Sequence, residues 1–525
     1  MNLPSDFSQR THELLGDNDY RQLEDALQDE APVSIRVNSA KCDREVKGER
    51  VPWSANGIYL AERPTFTFDP LFHAGCYYVQ EASSMFVEQV LKTYVSSPVV
   101  MLDLCAAPGG KSTAARAVLP DGSLLVANEV MRNRVQILAE NLIKWGNTEV
   151  VVTNNDPSDF AALPGMFDVV LTDVPCSGEG MFRKDAVAVE EWSADNVQIC
   201  RQRQRRILAD VWTALKPGGL LIYSTCTYNR EEDEDNVAWI ARELGAEVLE
   251  VPVRPEWNIT GNLTEADFPV YRFLPHKTKG EGFFLAVLRK DTEGGEEERT
   301  GDYLKEHAGG RKDKKKGGRE KQQVMTVPKE VKDWLQHPED YQFEVKGTGI
   351  VAFPKKHSET YALLQQVLKV IHAGVTLGEL KGKDIVPDHS LAMTIAMRQG
   401  KFLQAELSYE QAIGYLRKEA VVLDSSVPRG YILLTYKKIP LGFAKNIGNR
   451  ANNLYPQEWR IRSRHRGVHL PGALGRDLRG AEPAHPRAGA SGAGRGPELP
   501  ASRGRIQLAH RPQPPAPFPA AAGHR

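Results

Sequence analysis

The strongest constraint on the fold lies between residues 99 and 289, where short apolar runs alternate with helix-like runs. Strands that alternate with helices form βαβ units, and such units build a mostly parallel sheet. We therefore expect an α/β fold with a Rossmann-like, doubly wound sheet. The predicted strands cover residues 99–105, 123–128, 148–153, 167–173, 220–224 and 283–289, and the predicted helices cover residues 112–118, 132–145, 195–215 and 231–244.

Composition narrows the class of protein. The chain has 525 residues, 41% of them hydrophobic, which is enough for about three or four domains with large cores. No stretch approaches the roughly 18 apolar residues of a membrane span. The first ten residues are polar and lack the apolar core of a signal peptide. We expect a cytoplasmic protein without a membrane partner.

Cysteine content argues against a disulfide-rich protein and against a zinc protein, and the net charge limits how the chain could bind nucleic acid. Six cysteines in a chain of this length do not form a disulfide framework, and no CxxC pair indicates zinc, so we expect free thiols and no metal. The net charge is only −1, and eleven arginines fall in the last 64 residues. Nucleic-acid binding would therefore depend on local basic patches rather than on the overall charge.

The first predicted strand of the sheet leads into a loop of small residues that a helix follows. Glycines at such a turn let the backbone approach a ligand, and open α/β sheets bind ligands at the carboxyl ends of strands. The last residues of the loop resemble a Walker phosphate loop, but Cys105 stands where its first glycine belongs, which argues against ATP without excluding it. The loop consists of Cys105, Ala106, Ala107, Pro108, Gly109, Gly110 and Lys111.

Two acidic residues follow the next two strands. Glu129 lies about 20 residues beyond the loop, the position of an acid that binds a ribose diol. Asp156 follows the third strand, where it can meet an adenine edge. A loop and two acids at three strand ends favour a pocket for an adenosyl group over a pocket for phosphate.

Two cysteines follow the fourth and fifth strands. The fourth strand ends in Asp173-Val174-Pro175-Cys176, and Cys226 follows the fifth. Carboxyl ends of neighbouring strands meet at one edge of the sheet, above the predicted cleft. A cysteine of the core would more often lie within a strand. We therefore expect Cys176 and Cys226 to be functional thiols.

A thiol beside an adenosyl group suggests methylation of a pyrimidine carbon. Carbon 5 of cytosine is a poor nucleophile, and addition of a thiolate at carbon 6 activates it. A free thiol has a pKa near ~8.5, so the site must favour the thiolate. Asp173 can hydrogen-bond the exocyclic amine and ring nitrogen 3 of the base. These residues predict a methyltransferase that uses S-adenosyl-L-methionine.

Three motifs, CAAPGGK, DVPCSGEG and YSTCTYNREEDEDN, resemble those of the Sun family of RNA cytosine-5 methyltransferases. The resemblance covers roughly residues 1–461. It implies that Cys226 is the nucleophile and that Cys176 assists release of the methylated product. The residues that it implies for binding S-adenosyl-L-methionine are the loop at 105–111 and the acids Glu129, Asp156 and Asp173.

The flanking regions extend this resemblance. Residues 34–38 and 75–84 resemble the family's N-terminal RNA-binding part. The extension after Lys290 resembles the PUA-like domain of the branch that methylates 16S rRNA within the small ribosomal subunit. The domains that we expect are an N-terminal RNA-binding part at 1–98, a methyltransferase domain at 99–290, a charged linker at 291–323, an α+β segment at 324–390, a PUA-like RNA-binding domain at 391–461, and a disordered, possibly out-of-frame tail at 462–525.

Two alternatives remain open at this stage. A tRNA cytosine-5 methyltransferase would share the catalytic motifs, so the motifs alone do not choose the RNA. A non-catalytic ribosome-assembly factor would bind RNA without chemistry, but it would need neither Cys176 nor Cys226. Because the extension after Lys290 resembles that of the branch that methylates 16S rRNA, the 16S rRNA of the small subunit is the expected partner.

Overall fold

A computed structural model describes residues 2–42, 46–292 and 326–463. The predicted linker at 291–323 and the predicted tail at 462–525 fall almost wholly outside these residues. Within the described part of the chain, no helix is long and apolar enough to cross a membrane.

A nine-stranded sheet dominates the described structure. Its spatial order is β6-β8-β5-β4-β1-β2-β3-β9, and β7 pairs with β8. Strands β1 to β5 run parallel, whereas β6, β8 and β9 are antiparallel to their neighbours. The strands are β1 Val100–Asp103, β2 Leu124–Asn128, β3 Val150–Thr153, β4 Phe167–Asp173, β5 Leu215–Thr225, β6 Ala246–Leu249, β7 Tyr271–Phe273, β8 Phe283–Lys290 and β9 Val370–Ala373.

The parallel strands form because both faces of the sheet are covered. Every residue of β2 and β3 is buried, as expected for a parallel sheet between two helical layers. Helix Gly110–Val118 connects β1 to β2, helix Arg132–Trp145 connects β2 to β3, and helix Ala194–Val211 precedes β5. The predicted doubly wound α/β sheet is thereby confirmed.

Local sequence placed most of these elements correctly. Helix Arg132–Trp145 and strand Phe167–Asp173 have the predicted bounds. Residues 216–219, which lie between the predicted helix at 195–215 and the predicted strand at 220–224, form a bulge within β5, because Leu215 pairs with Phe167 and Leu220 pairs with Val169. The predicted helix at 231–244 begins three residues later than predicted: it is an α-helix over Glu234–Trp239 and continues as a π-helix over Ile240–Gly245.

Around this sheet lie three smaller antiparallel or mixed sheets. The N-terminal sheet has the order Glu49–Arg50, Gly57–Leu60, Val33–Val37, Tyr77–Val79. The next sheet contains Tyr341–Lys346, Gly349–Pro354, Val375–Lys381 and Asp384–Pro387. The last contains Leu403–Glu406, Gly430–Tyr436, Ile439–Asn446 and Ala451–Asn453. The remaining α-helices are Ser5–Leu15, Asp17–Ala26, Pro70–His73, Val87–Tyr94, Ala186–Glu191, Lys329–Lys332, Ser358–Val367, His389–Met393 and Tyr409–Leu416.

The N-terminal and C-terminal sheets share one apolar core. Ile35 and Tyr77 of the first belong to the same buried cluster as Leu416, Ile432 and Tyr455 near the end of the described chain. A second connection joins the C-terminal region to the central sheet, where β9 pairs with β3. The C-terminal region therefore packs against the central sheet directly.

Candidate active site

The loop after β1 is held from one side by helix Arg132–Trp145. Arg134 donates to the carbonyl oxygen of Ala107 at 2.8 Å, and Asn141 donates to that of Pro108 at 2.8 Å. Gly109 has a φ of +115°, in the left-handed region that favours glycine. The loop is therefore a fixed turn at the carboxyl end of β1, as the sequence predicted.

Three carboxylates lie close together beside this loop. Asp103 ends β1 and is fully buried. The pKa of Asp103 is raised to about 7: burial is the main cause and the negative charges of Asp173 and Glu129 add to it, while a hydrogen bond from Ser112 at 2.6 Å opposes the rise. Its Oδ1 atom has no hydrogen-bond partner among the described residues. Asp103 was not predicted as a site residue, although it lies at the end of a strand, which is the feature that identified Glu129 and Asp173.

Asp173 is fixed by two contacts at the end of β4. Lys111 donates to Oδ2 of Asp173 at 2.7 Å, and the hydroxyl of Ser224 donates to Oδ1 at 2.9 Å. Burial lowers the pKa of Lys111, but the ion pair with Asp173 outweighs burial and raises the pKa above its usual value. The carboxylate is about one-third exposed. Asp173 therefore presents an oriented, accessible carboxylate.

The two acids predicted to bind the cofactor differ in their surroundings. Glu129 is nearly buried, accepts the N–H of Met131 at 2.9 Å, and lies 3.4 Å from Arg134. Asp156 is exposed, and its carboxylate accepts the N–H and hydroxyl of Ser158, which lowers its pKa. The structure thus brings Glu129 together with Asp103 and Asp173, whereas Asp156 caps its own turn.

The two predicted thiols lie against each other. Sγ of Cys176 is 3.0 Å from Sγ of Cys226, and the N–H of Cys226 donates to Sγ of Cys176 at 3.3 Å. Both are free thiols and partly accessible. The hydrogen bond to Cys226 and burial raise the pKa of Cys176 well above its usual value. A thiol that keeps its proton therefore lies beside a second thiol at the carboxyl edge of the sheet.

Comparison with known proteins identifies the family of this site. Residues 94–289 match the family described as 16S rRNA methyltransferase RsmB/F. Residues 3–82 match the N-terminal domain of 16S rRNA methyltransferase RsmF, and residues 402–461 match the methyltransferase RsmF PUA domain. Ribosomal RNA small subunit methyltransferase F of Enterobacter sp. (strain 638) is 33% identical over 452 residues, which cover 81% of this chain and 89% of the relative.

The chain belongs to the 16S rRNA methyltransferase RsmB/F family. Its relative in Aliivibrio fischeri (strain MJ11), also a ribosomal RNA small subunit methyltransferase F, is 32% identical over 443 residues, covering 81% of this chain and 90% of the relative. The crystal structure of PH0851 superposes with a TM-score of 0.50 and 25% identity, covering 55% of this chain and 66% of that one. The family predicted from the three motifs is confirmed.

Two buried acids of this RsmB/F site were missed by the sequence analysis. Glu179 follows Cys176 in one motif, and Glu232 follows Cys226 in the other. Both motifs were recognised, but their acids received no role, because acids in such runs are usually exposed. In the structure Glu179 is 2% exposed and Glu232 is 0% exposed.

The N-terminal segment contacts the helix that follows the loop at 105–111. Arg36 lies in strand Val33–Val37 and is 1% exposed. Its guanidinium donates to the carbonyl oxygen of Gly110 at 3.3 Å and to the hydroxyl of Thr113. The segment at 34–38, which resembles an RNA-binding part, therefore places Arg36 against the start of helix Gly110–Val118, which follows the loop at 105–111.

The aromatic residues of the PUA region divide into core and surface. Phe443 and Tyr455 are buried in the core. Tyr431 is partly exposed, donates to Asp384 at 2.7 Å, and lies 4.9 Å below the ammonium of Lys445. The last sheet of the RsmF-type PUA match thus leaves Tyr431 and Lys445 on an accessible face.

Proposed function

We propose that this protein methylates carbon 5 of a cytosine in 16S rRNA of the small ribosomal subunit, with S-adenosyl-L-methionine as methyl donor. The observation that carries the proposal is the pair of thiols 3.0 Å apart at the ends of neighbouring strands, beside the oriented carboxylate of Asp173. Membership of the RsmB/F family and the names of the curated relatives support the choice of 16S rRNA.

The residues at the carboxyl edge fit S-adenosyl-L-methionine. The backbone of residues 105–111 would hold it, and Glu129 would accept its ribose hydroxyls, with Asp156 as a further contact at the adenine edge. Asp103, Glu129 and Asp173 are three acids beside one loop, and the negative charge that they place there suits a cationic sulfonium. When bound, the cofactor supplies an electrophilic methyl group.

Cys226 is the proposed nucleophile. Its Sγ adds to carbon 6 of the cytosine, and the resulting enamine makes carbon 5 reactive. Asp173, held by Lys111 and Ser224, accepts an N–H of the exocyclic amine; in its protonated form it also donates to ring nitrogen 3 and passes that proton to it as Cys226 adds, which favours the activated ring. After carbon 5 has gained its methyl group, a base removes the proton from carbon 5. The electrons of that C–H bond form the double bond between carbons 5 and 6, the bond between carbon 6 and Sγ breaks, Cys226 leaves as a thiolate, and ring nitrogen 3 returns its proton to Asp173.

Cys176 is proposed to act at the last step. The pKa of Cys176 is raised, so it is a thiol at neutral pH and can donate to Sγ of Cys226. Such donation favours departure of Cys226 from carbon 6. The two cysteines therefore have different roles, although each follows the end of a strand.

The test is methyl transfer from labelled S-adenosyl-L-methionine to three separate RNAs: purified 16S rRNA, assembled small subunits, and tRNA. We expect 5-methylcytosine, identified by mass spectrometry of nucleosides, in 16S rRNA from small subunits. Label in tRNA alone would replace the rRNA assignment by the tRNA alternative. Absence of label from all three, with cofactor bound, would contradict catalysis and favour a binding role.

A further inference from the structure

The loops that carry the two cysteines are joined to each other by buried acids. The first loop follows β4 and contains Cys176 and Glu179; the second follows β5 and contains Cys226 and Glu232. Each acid binds the loop to which it does not belong. The exchange is reciprocal, so movement of either loop would break contacts at both ends.

Glu179 belongs to the first loop and binds the second. Its Oε2 atom accepts the backbone N–H groups of Tyr228 at 2.8 Å and Asn229 at 3.0 Å. Its Oε1 atom accepts the indole N–H of Trp192 at 3.0 Å. Each of these partners is a donor, so the site selects a group that only accepts.

Glu232 belongs to the second loop and binds the first. Both of its oxygens lie within hydrogen-bonding distance of the N–H of Ser177, at 3.0 and 3.3 Å. Ser177 is the residue directly after Cys176. The side chain of Gln204 donates to the same carboxylate at 2.7 Å and to the carbonyl oxygen of Pro175 at 3.0 Å.

Asn229 connects the two acids. Its side-chain nitrogen is 3.1 Å from Glu179 and 2.8 Å from Glu232. The backbones of the loops also approach closely: the N–H of Gly180 donates to the carbonyl oxygen of Cys226 at 2.9 Å. A Cβ atom at Gly180 would lie only 2.8 Å from that oxygen. The loops therefore leave no room for sliding.

We propose that Glu179 and Glu232, joined by Asn229, are positioning residues that hold Cys176 and Cys226 in contact for the methyl-transfer reaction. This role rests on the proposed function. None of the three has to touch the cytosine. Their effect is to fix the distance between the two sulfur atoms.

The cost of this arrangement argues for a role beyond stability. The pKa of Glu232 is raised to about 7, chiefly by burial and in part by the charge of Glu179, although its hydrogen bonds lower it. Keeping Glu232 ionised above that pH therefore costs folding free energy, and two buried acids of like charge are a poor choice for stability alone. Acceptor-only groups are needed because every hydrogen-bond partner of the two carboxylates among the described residues is a donor.

The first experiment measures the distance between the sulfurs without any methyl transfer. Diamide takes two hydrogens from a pair of nearby thiols and leaves a disulfide, so the rate of the Cys176–Cys226 cross-link reports how often the sulfurs meet. Non-reducing peptide mapping follows the cross-link in the full-length protein. We expect Glu179→Gln and Glu232→Gln to slow it at least about fivefold, since an amide N–H₂ would face N–H donors.

Two further variants make the test specific. Glu232→Asp keeps the acceptor-only charge but changes the size, and it should cross-link and methylate faster than Glu232→Gln. Asn229→Ala removes the amide that joins Glu179 to Glu232 but leaves both carboxylates. It therefore tests the same proposal if the glutamine variants do not fold. Asp69→Asn is the control, because Asp69 is also a buried acid and accepts a hydrogen bond, from Tyr77 at 2.7 Å, in the core that the N-terminal and C-terminal sheets share.

The second experiment measures methyl transfer and cofactor affinity in the same variants. We expect kcat to fall at least about tenfold, with affinity for S-adenosyl-L-methionine unchanged within about twofold. Unchanged cross-linking and unchanged kcat in the two glutamine variants and in Asn229→Ala would overturn the proposal. Slowed cross-linking in a protein that methylates no RNA would uphold the positioning of the sulfurs and overturn the proposed function instead.

Discussion

Cys176 and Cys226 occupy equivalent places after neighbouring strands, yet their surroundings differ. The backbone N–H of Cys226 donates to Sγ of Cys176 and lowers the pKa of Cys176, but the side-chain hydrogen bond with Cys226 and burial outweigh it and raise that pKa well above its usual value. A protonated thiol is a weak nucleophile and a useful donor. At the scale of single residues, the geometry therefore supports Cys226 as the attacking group and Cys176 as its assistant.

Replacement of Cys226 tests the nucleophile. Cys226→Ala should lower methyl transfer at least about a thousandfold, because a covalent mechanism loses its attacking atom. Affinity for S-adenosyl-L-methionine, measured by calorimetry, should stay within about twofold. Cys200→Ala is a matched control, since Cys200 is a buried thiol of helix Ala194–Val211. Normal turnover by Cys226→Ala would remove the thiol from the mechanism.

Replacement of Cys176 should have a different outcome. If Cys176 assists departure of Cys226, then Cys176→Ala should accumulate the covalent RNA adduct, visible as a slow band on a denaturing gel. The double variant Cys176→Ala/Cys226→Ala should show no such band. A fully active Cys176→Ala protein without the band would leave Cys176 with a structural role.

Glu129 and Asp156, the acids proposed to bind the cofactor, should contribute unequally to the affinity for S-adenosyl-L-methionine. Glu129→Gln should weaken S-adenosyl-L-methionine binding at least about tenfold, since a hydrogen bond to a charged group contributes about 1.5–3 kcal/mol. Asp156→Asn should have a smaller effect, because that carboxylate is exposed and already accepts from Ser158. Calorimetry on both variants makes the comparison. Equal losses would contradict the ranking.

At the scale of elements, the active-site edge depends on a contact that comes from outside the central sheet. Arg36 donates to Gln80 at 2.8 Å as well as to the start of helix Gly110–Val118, and it lies 3.9 Å from Glu88. Burial lowers the pKa of Arg36 to about 10, which still leaves the guanidinium charged at neutral pH. Strand Val33–Val37 therefore fixes the orientation of helix Gly110–Val118, at whose start we propose that the cofactor binds.

Removal of this contact should cost stability. Arg36→Ala should lower the free energy of unfolding by about 3 kcal/mol, because it leaves buried acceptors without a partner. It should also weaken cofactor binding, since the helix at Gly110 loses its support. Arg63→Ala is the control, because Arg63 is exposed. Urea unfolding of both variants is the measurement, and equal midpoints would refute the role of Arg36.

Local pattern predicted the elements of the central sheet well and its edges poorly. The cysteines and Asp173 could be placed, because they follow apolar strands whose ends must meet. Strand β9 could not, since Val370 pairs with Thr153 far away in the chain and no local periodicity specifies that partner. Glu179 and Glu232 were overlooked for a related reason: burial of an acid depends on donors from a different loop.

At the scale of the whole molecule, the C-terminal region is part of the structure that supports the site. The N–H of Gly374 donates to the carbonyl oxygen of Val150, and the hydroxyl of Thr394 donates to that of Gly146, both beside strand β3. Tyr455 packs within the N-terminal apolar cluster. This region supports the sheet, and it leaves Tyr431 and Lys445, which both contact Asp384, on an accessible face.

Two truncations separate these contributions. A chain that ends at residue 290 loses β9 and the shared core, so its free energy of unfolding should fall by at least about 3 kcal/mol, given about 1.5–3 kcal/mol for each large apolar side chain that becomes exposed. A chain that ends at residue 463 keeps every described contact and should unfold at the same urea concentration as the full chain. Cofactor binding should follow the same order, because strand β3 leads to the pocket. If the chain ending at 290 unfolds at the full-length midpoint and still binds S-adenosyl-L-methionine, the C-terminal region is a separable RNA-binding module and the shared core contributes nothing to the site.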